Sequence, residues 1–147
     1  MTLKDQLNDA MKAAMKARDD LRLSAVRMVR AAIKNREIDT RTELDDKAVT
    51  EVISTLVKQR RESIRMYREG NRPDLADKEE SELAVLIEFL PAQMSIDDID
   101  KLVAQVIMDI DAQGIKDMGR VMKAVAPLTA GKADGKLVSD AVRKLLA

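Results

Sequence analysis

Apolar residues recur at spacings of three and four along nearly the whole chain, and strand-like alternation appears nowhere. Such a pattern buries its apolar surface as amphipathic helices packed face to face, so the fold class is all-α. Breakers divide the pattern. Thr2-x-x-Asp5 resembles a capping box with Asp in the Glu role, opening a helix to about Arg18 with Leu3, Leu7, Met11 and Met15 inward. Asp19-Asp20 marks a break, and a second helix runs to about Ile38, followed by a polar loop over Asp39–Leu44. Asp45 caps a long third helix, which Gly70-Asn71 ends with Pro73 just beyond. A fourth helix runs to Phe89, where Pro91 stops it. Ser95-x-x-Asp98 opens a fifth helix ending at Gly114, a sixth covers about Asp117–Ala126 before Pro127, and Asp134 caps a last helix to Leu146. The reading is an N-terminal bundle of about four helices over 1–90, a linker at 91–94, and a smaller three-helix tail over 95–147. A tail of that size is marginal on its own.

What is missing narrows the chemistry. The 147 residues include no Cys, His or Trp, and Tyr67 and Phe89 are the only aromatics. Disulfides, Cys/His zinc sites, thiol nucleophiles and Ser-His-Asp arrangements are therefore excluded. Stacking recognition of single strands lacks its aromatic platform. The longest apolar runs, Leu83–Ile87 and Ala124–Leu128, are too short to span a membrane. The first residues carry mixed charge rather than the apolar stretch of a signal peptide, so the expected location is the cytoplasm. Net charge is zero, yet residues 1–70 sum to +4 and residues 71–147 to −4.

Several charges fall where the helical projection expects apolar residues. Arg60 lies within the stripe Val49, Val52, Ile53, Leu56, Val57, Ile64, Tyr67, and Glu79 within the stripe Leu75, Ala76, Leu83, Leu86, Ile87, Leu90. A buried charge needs a partner. The tight turn at Gly70–Pro73 makes the two helices antiparallel neighbours, so an Arg60–Glu79 ion pair is expected, with Glu80 as the second choice. A polar site open to a ligand is the alternative. Arg22, beside the arc Leu21, Ala25, Val29, Ala32 and Ile33, reads as a snorkelling arginine.

Outward faces carry basic stripes: Arg27, Arg30 and Lys34 on the second helix, and Lys58, Arg61, Arg65 and Arg68 on the third. Basic stripes on helices are the footprint of phosphate-backbone binding, although charged stripes are also ordinary solvated faces. Gly131-Lys132-Ala133-Asp134-Gly135-Lys136-Leu137 fails as a phosphate loop: three residues separate its glycines, Leu137 replaces Ser/Thr, and no strand precedes it. It reads as an interhelical turn capped by Asp134, whose Lys132 and Lys136, with Arg120 and Lys123 nearby, meet phosphates only as point charges. The acidic groups Asp97-Asp98-Asp100 and Asp109-Asp111 lack calcium-loop spacing, and no metal or cofactor is expected.

Phe89-Leu90-Pro91-Ala92-Gln93-Met94-Ser95, Gly119-Arg120-Val121-Met122-Lys123 and Gly131-Lys132-Ala133-Asp134-Gly135-Lys136-Leu137-Val138 resemble the YqeY family in order and spacing. Arg22-Leu23-Ser24-Ala25-Val26-Arg27 and Asp77-Lys78-Glu79-Glu80-Ser81-Glu82-Leu83 fit it too. The C-terminal part is similar to the tail domain of the GatB subunit of the tRNA-dependent amidotransferase. That resemblance implies a helical N-terminal unit joined to a three-helix tail that contacts tRNA. The label that travels with the family is carbon–nitrogen ligase with glutamine as amido-N-donor, but the amidotransferase's kinase and transfer domains have no counterpart here.

The expected function is a non-catalytic RNA-associated module, tRNA first, with Arg120, Lys123, Lys132 and Lys136 as phosphate contacts. The alternative is a helical adaptor docking on a protein of the translation or amidotransferase machinery. With neither His nor Cys present, no side chain titrates near neutrality unless strongly perturbed. Purified chain is accordingly expected to show no ATP- or glutamine-dependent turnover in a steady-state assay. A rate above the buffer control that is lost on a point substitution would overturn this.

Overall fold

The computed structural model describes every residue from Met1 to Ala147. The helices are α1 Leu3–Ala17, α2 Asp20–Thr40, α3 Asp46–Glu69, α4 Pro73–Ile87, α5 Ile96–Asp109, α6 Met118–Thr129 and α7 Gly135–Leu146. A single 3-10 turn, Ile115–Asp117, leads into α6. The fold is all-α, and the chain divides into two compact units, Met1–Leu90 and Pro91–Ala147.

Helix starts follow the sequence closely. Thr2 and Ser95 both form reciprocal capping boxes, with Asp5 and Asp98 at the third helical position. Asp19, Asp45 and Asp134 each accept a backbone N–H of the helix that follows. Helices α1 and α3 end within a residue of where the sequence places them, at Arg18 and Gly70-Asn71, although the reversing residue is not glycine. Arg18, Asn71 and Asp111 take left-handed φ values of 56°, 58° and 54°. Each closes a Schellman motif whose longer bond is Asp19 N–H to Ala14 C=O, Arg72 N–H to Tyr67 C=O, or Ala112 N–H to Ile107 C=O. Gly70 keeps φ −83°, so Asn71, not the glycine, makes that turn.

The boundaries shift accordingly. Helix α5 ends at Asp109 rather than Gly114. Helix α2 absorbs Asp39 and Thr40, whose hydroxyl donates to the Arg36 carbonyl at 2.8 Å. Helix α6 runs through Pro127 to Thr129 instead of stopping before the proline. Proline removes the N–H that would bond the Lys123 carbonyl, and its ring crowds that carbonyl. Buried Val125 and Thr129 hold the last turn, with Thr129 Oγ1 donating to the Val125 carbonyl at 3.2 Å.

In the first unit, Leu7 of α1 joins Val26, Val29 and Ile33 of α2, Ile53 and Val57 of α3, and Leu86 of α4 with Phe89 beyond it. Met15 does not point inward: it is 51% exposed, and Ala14 takes the buried position. The second unit packs Ile99 and Val103 of α5, Val121 and Val125 of α6, and Val138 and Val142 of α7. The stretch 91–94, read from the sequence as a linker, is bonded to the turn after α6. Gln93 Nε2 donates to the Gly131 carbonyl and Met94 N–H to the Lys132 carbonyl, each at 2.8 Å.

Charges at core positions resolve into named contacts. Arg60 Nη1 lies 3.5 Å from Glu79 Oε1 and 2.7 Å from Glu82 Oε2, and Nη2 lies 2.7 Å from the Met28 sulfur. The three charged side chains retain only 20%, 17% and 12% of their exposure. Glu80 instead faces Arg68 at 2.8 Å. Arg22 carries its guanidinium out to the surface, where Nη1 meets Glu88 Oε2 at 2.6 Å and ties α2 to the end of α4.

Removing one of Arg60's two carboxylates deletes a charged hydrogen bond, so Glu82→Ala should cost about 1.5–3 kcal/mol. The double change Glu79→Ala with Glu82→Ala strands the guanidinium and should cost roughly 3–5 kcal/mol. Urea denaturation of both variants measures this.

Candidate anion-binding groove

Helix α2 must bury Ala25, Val26, Val29 and Ile33, and at 100° per residue this leaves Arg27, Arg30 and Lys34 together on the flank of that arc. Helix α1 packs on α2, placing Lys4 and Asn8 opposite that flank. Between them lies a groove of about 480 Å³, floored by Leu7 and Ile33. Its walls carry four cations, Lys4, Arg27, Arg30 and Lys34, against one carboxylate, Glu37.

That carboxylate is committed at one end. Lys4 Nζ pairs with Glu37, which also accepts the Leu44 N–H at 2.8 Å. The Lys4 hydrogen bond, reinforced by the Leu44 amide, holds the Glu37 carboxyl below its ordinary value and lifts the Lys4 ammonium above its own. Arg30 Nη1 reaches only the Met11 sulfur, at 2.8 Å. Arg27 and Lys34 are exposed and make no ion pair. Three cations thus converge on one concavity with no acid to balance them.

Elsewhere the basic positions behave differently. On α3, Arg65 pairs with Glu62 and with Glu69 at 2.9 Å, while Arg68 pairs with Asp77 at 3.3 Å and Glu80 at 2.8 Å. Arg61 is half-buried and engaged as well, leaving Lys58 as the exposed, unpaired member of that stripe. In the second unit, Arg120 is a structural clasp. Its Nη2 donates to the Ile110 carbonyl at 2.6 Å, covering the end of α5, and Nη1 lies 3.9 Å from Asp117. Lys123, Lys132 and Lys136 are exposed without ion pairs, on α6, the following turn and the first turn of α7. The crevice of that unit, about 200 Å³ between α5 and α7, is lined by Ile96, Asp100, Leu137 and Lys144 instead. No group of acidic side chains is arranged to hold a metal ion, and no helix is long and apolar enough to cross a membrane.

Residues 4–146 match the family model described as Yqey-like protein. The chain belongs to the Yqey-like family. Three fungal relatives carry the name "Altered inheritance of mitochondria protein 41, mitochondrial". The one from Vanderwaltozyma polyspora is 36% identical over 123 residues, covering 81% of this chain and 66% of that protein. The one from Lachancea thermotolerans is 40% identical over 85 residues, covering 57% and 46%. The one from Kluyveromyces lactis is 35% identical over 107 residues, covering 71% and 58%. The chain thus spans about half to two thirds of the length of the relatives it matches.

For this Yqey-like chain, sequence reading found Arg27, Arg30 and Lys34 but missed Lys4 and Glu37. Nothing in their local pattern marks them. Their roles arise only when α1 lies on α2, and the sole hint was that Lys4 sits one position from the inward Leu3.

The Lys4–Glu37 contact makes the junction of α1, α2 and the following loop sensitive to acid. Glu37 titrates lower when folded, so its stabilisation is complete above the ordinary glutamate value of 4.5 and is lost as pH falls through the folded value. Melting temperatures of wild type and Glu37→Gln should differ at pH 7 and converge as pH drops well below 4.5. A gap that stays constant would contradict the assignment.

Proposed function

We propose that this chain is a non-catalytic RNA-associated module, cytoplasmic, with tRNA as its RNA. The link to the tRNA-dependent amidotransferase comes from the likeness of residues 95–147 to the GatB tail. The observation carrying the reading is which cations are left over. Lys123, Lys132 and Lys136 on the second unit, with Arg27 and Lys34 on α2, are exposed and unpaired. Arg65 and Arg68 are neutralised by carboxylates and contribute less. No aromatic stands among the unpaired cations to read bases, so contact is electrostatic and runs through phosphates.

A second reading draws on a different observation. Ile96, Met108, Ile115 and Leu128 are large apolar side chains left exposed on the second unit. They favour a helical adaptor that docks on a protein of the translation or amidotransferase machinery.

Salt dependence separates the two. Five phosphate contacts give a log–log slope of about −3.5 on single strands. Replacing Lys123, Lys132 and Lys136 together by Ala should flatten it by roughly two to three, with helicity unchanged by circular dichroism. A gel shift with tRNA across a salt series measures it. Absence of binding at low salt, or equal binding by the triple variant, hands the function to the adaptor reading.

A further inference from the structure

The α1–α2 groove has an unbalanced set of donors. Its one acid, Glu37, is occupied by Lys4 and the Leu44 amide. Arg30 Nη1 faces the Met11 thioether, a weak acceptor that leaves most of the guanidinium's donors available. Arg27 and Lys34 face no carboxylate. Holding three like charges along one concave wall is unfavourable without a counter-charge, so the wall is poised for an anion.

The shape and donor chemistry specify which anion. Residues 27 to 34 advance about 10 Å along α2, at 1.5 Å per residue. That length accommodates more than one tetrahedral oxyanion. Two planar guanidinium forks with an ammonium match phosphoryl oxygens in geometry as well as charge. The groove volume, about 480 Å³, is that of a small-ligand site. Its floor of Leu7 and Ile33 offers an aromatic base no stacking partner, so recognition rests on the phosphoryl groups.

We propose that the α1–α2 groove is a phosphoryl-binding site for a ligand with at least two phosphoryl groups, held by Arg27, Arg30 and Lys34. The site shares Arg27 and Lys34 with the RNA reading but does not require it, since a small phosphoryl ligand is tested without RNA. A free polyphosphate-bearing ligand and an RNA strand present the same chemistry to it.

The test is an amide NMR titration of the full chain with inorganic pyrophosphate at constant ionic strength. Wild type should show saturable shifts confined to residues of α1 and α2. Arg27→Ala combined with Lys34→Ala should weaken binding about tenfold or more. Lys58→Ala, which removes an exposed, unpaired charge outside the groove, should leave binding unchanged. Glu37→Gln, which frees Lys4, should tighten it. No saturable shift, or equal affinity in the double variant, overturns the proposal. Adding tRNA to the pyrophosphate-loaded chain then separates the two sources. Displacement assigns the site to RNA phosphates; bound tRNA without displacement assigns it to a free phosphoryl ligand. Pyrophosphate binding with no tRNA binding at all retains the groove and removes the RNA reading.

Discussion

Arg60 reaches across from α3 to two carboxylates of α4, one helical turn apart, and the register of the first unit depends on that bridge. A guanidinium contacting Glu79 and Glu82 at once locks both the height and the rotation of α4 against α3. With that rotation set, Ala76, Val85, Leu86 and Phe89 turn into the core, and Glu88 comes within reach of Arg22 on α2. Helix α2 spreads its apolar arc over α1, α3 and α4, and its basic flank lies at the edge of that arc beside α1. The groove lies along the edge of the α1–α2 contact, where the apolar floor of Leu7 and Ile33 gives way to the basic flank.

The two units solve burial with few side-chain types. Apart from Phe89, both cores are built from aliphatic residues, chiefly Val, Ile, Leu and Ala. Short branched side chains fill helix interfaces in few rotamers and let the helices approach closely. Long polar side chains complete the margins: Arg60 among carboxylates, Arg120 over the end of α5, and Lys144 on Asp100 at 2.7 Å. Basic residues in this chain fall into two populations, those that hold helices together and those left with nothing to hold.

Much of this was legible in the sequence. Helix starts were, because Thr2, Asp19, Asp45, Ser95 and Asp134 act through local hydrogen bonds that composition and spacing reveal. Helix ends were less so. The end of α5 was the clearest miss: Asp111, which as an Asp tolerates the left-handed conformation usually associated with glycine, reverses the chain well before Gly114. The buried face of α4 was read about one residue off its true centre. Glu82 therefore went unnoticed, although it is the closest carboxylate to Arg60. The α2 stripe was visible as a periodic pattern, whereas Lys4 joined it only through the packing of α1 on α2, since it stands 33 residues from Glu37 along the chain. Pro127 misled because it sits in the last turn, where the helix continues past it to buried Thr129.

Those left-handed helix ends bear on how much change the chain can absorb. A left-handed backbone costs an ordinary L-residue about 1–2 kcal/mol relative to glycine, less for Asn and Asp. Arg18 and Arg41 both carry that strain in exposed turns. The protein therefore operates below the stability its own architecture permits, with reserve stored at exposed turns outside both cores. An evolving lineage that needed to tolerate a damaging change in the groove could draw on that reserve by a single codon step at a turn, leaving every packed interface untouched.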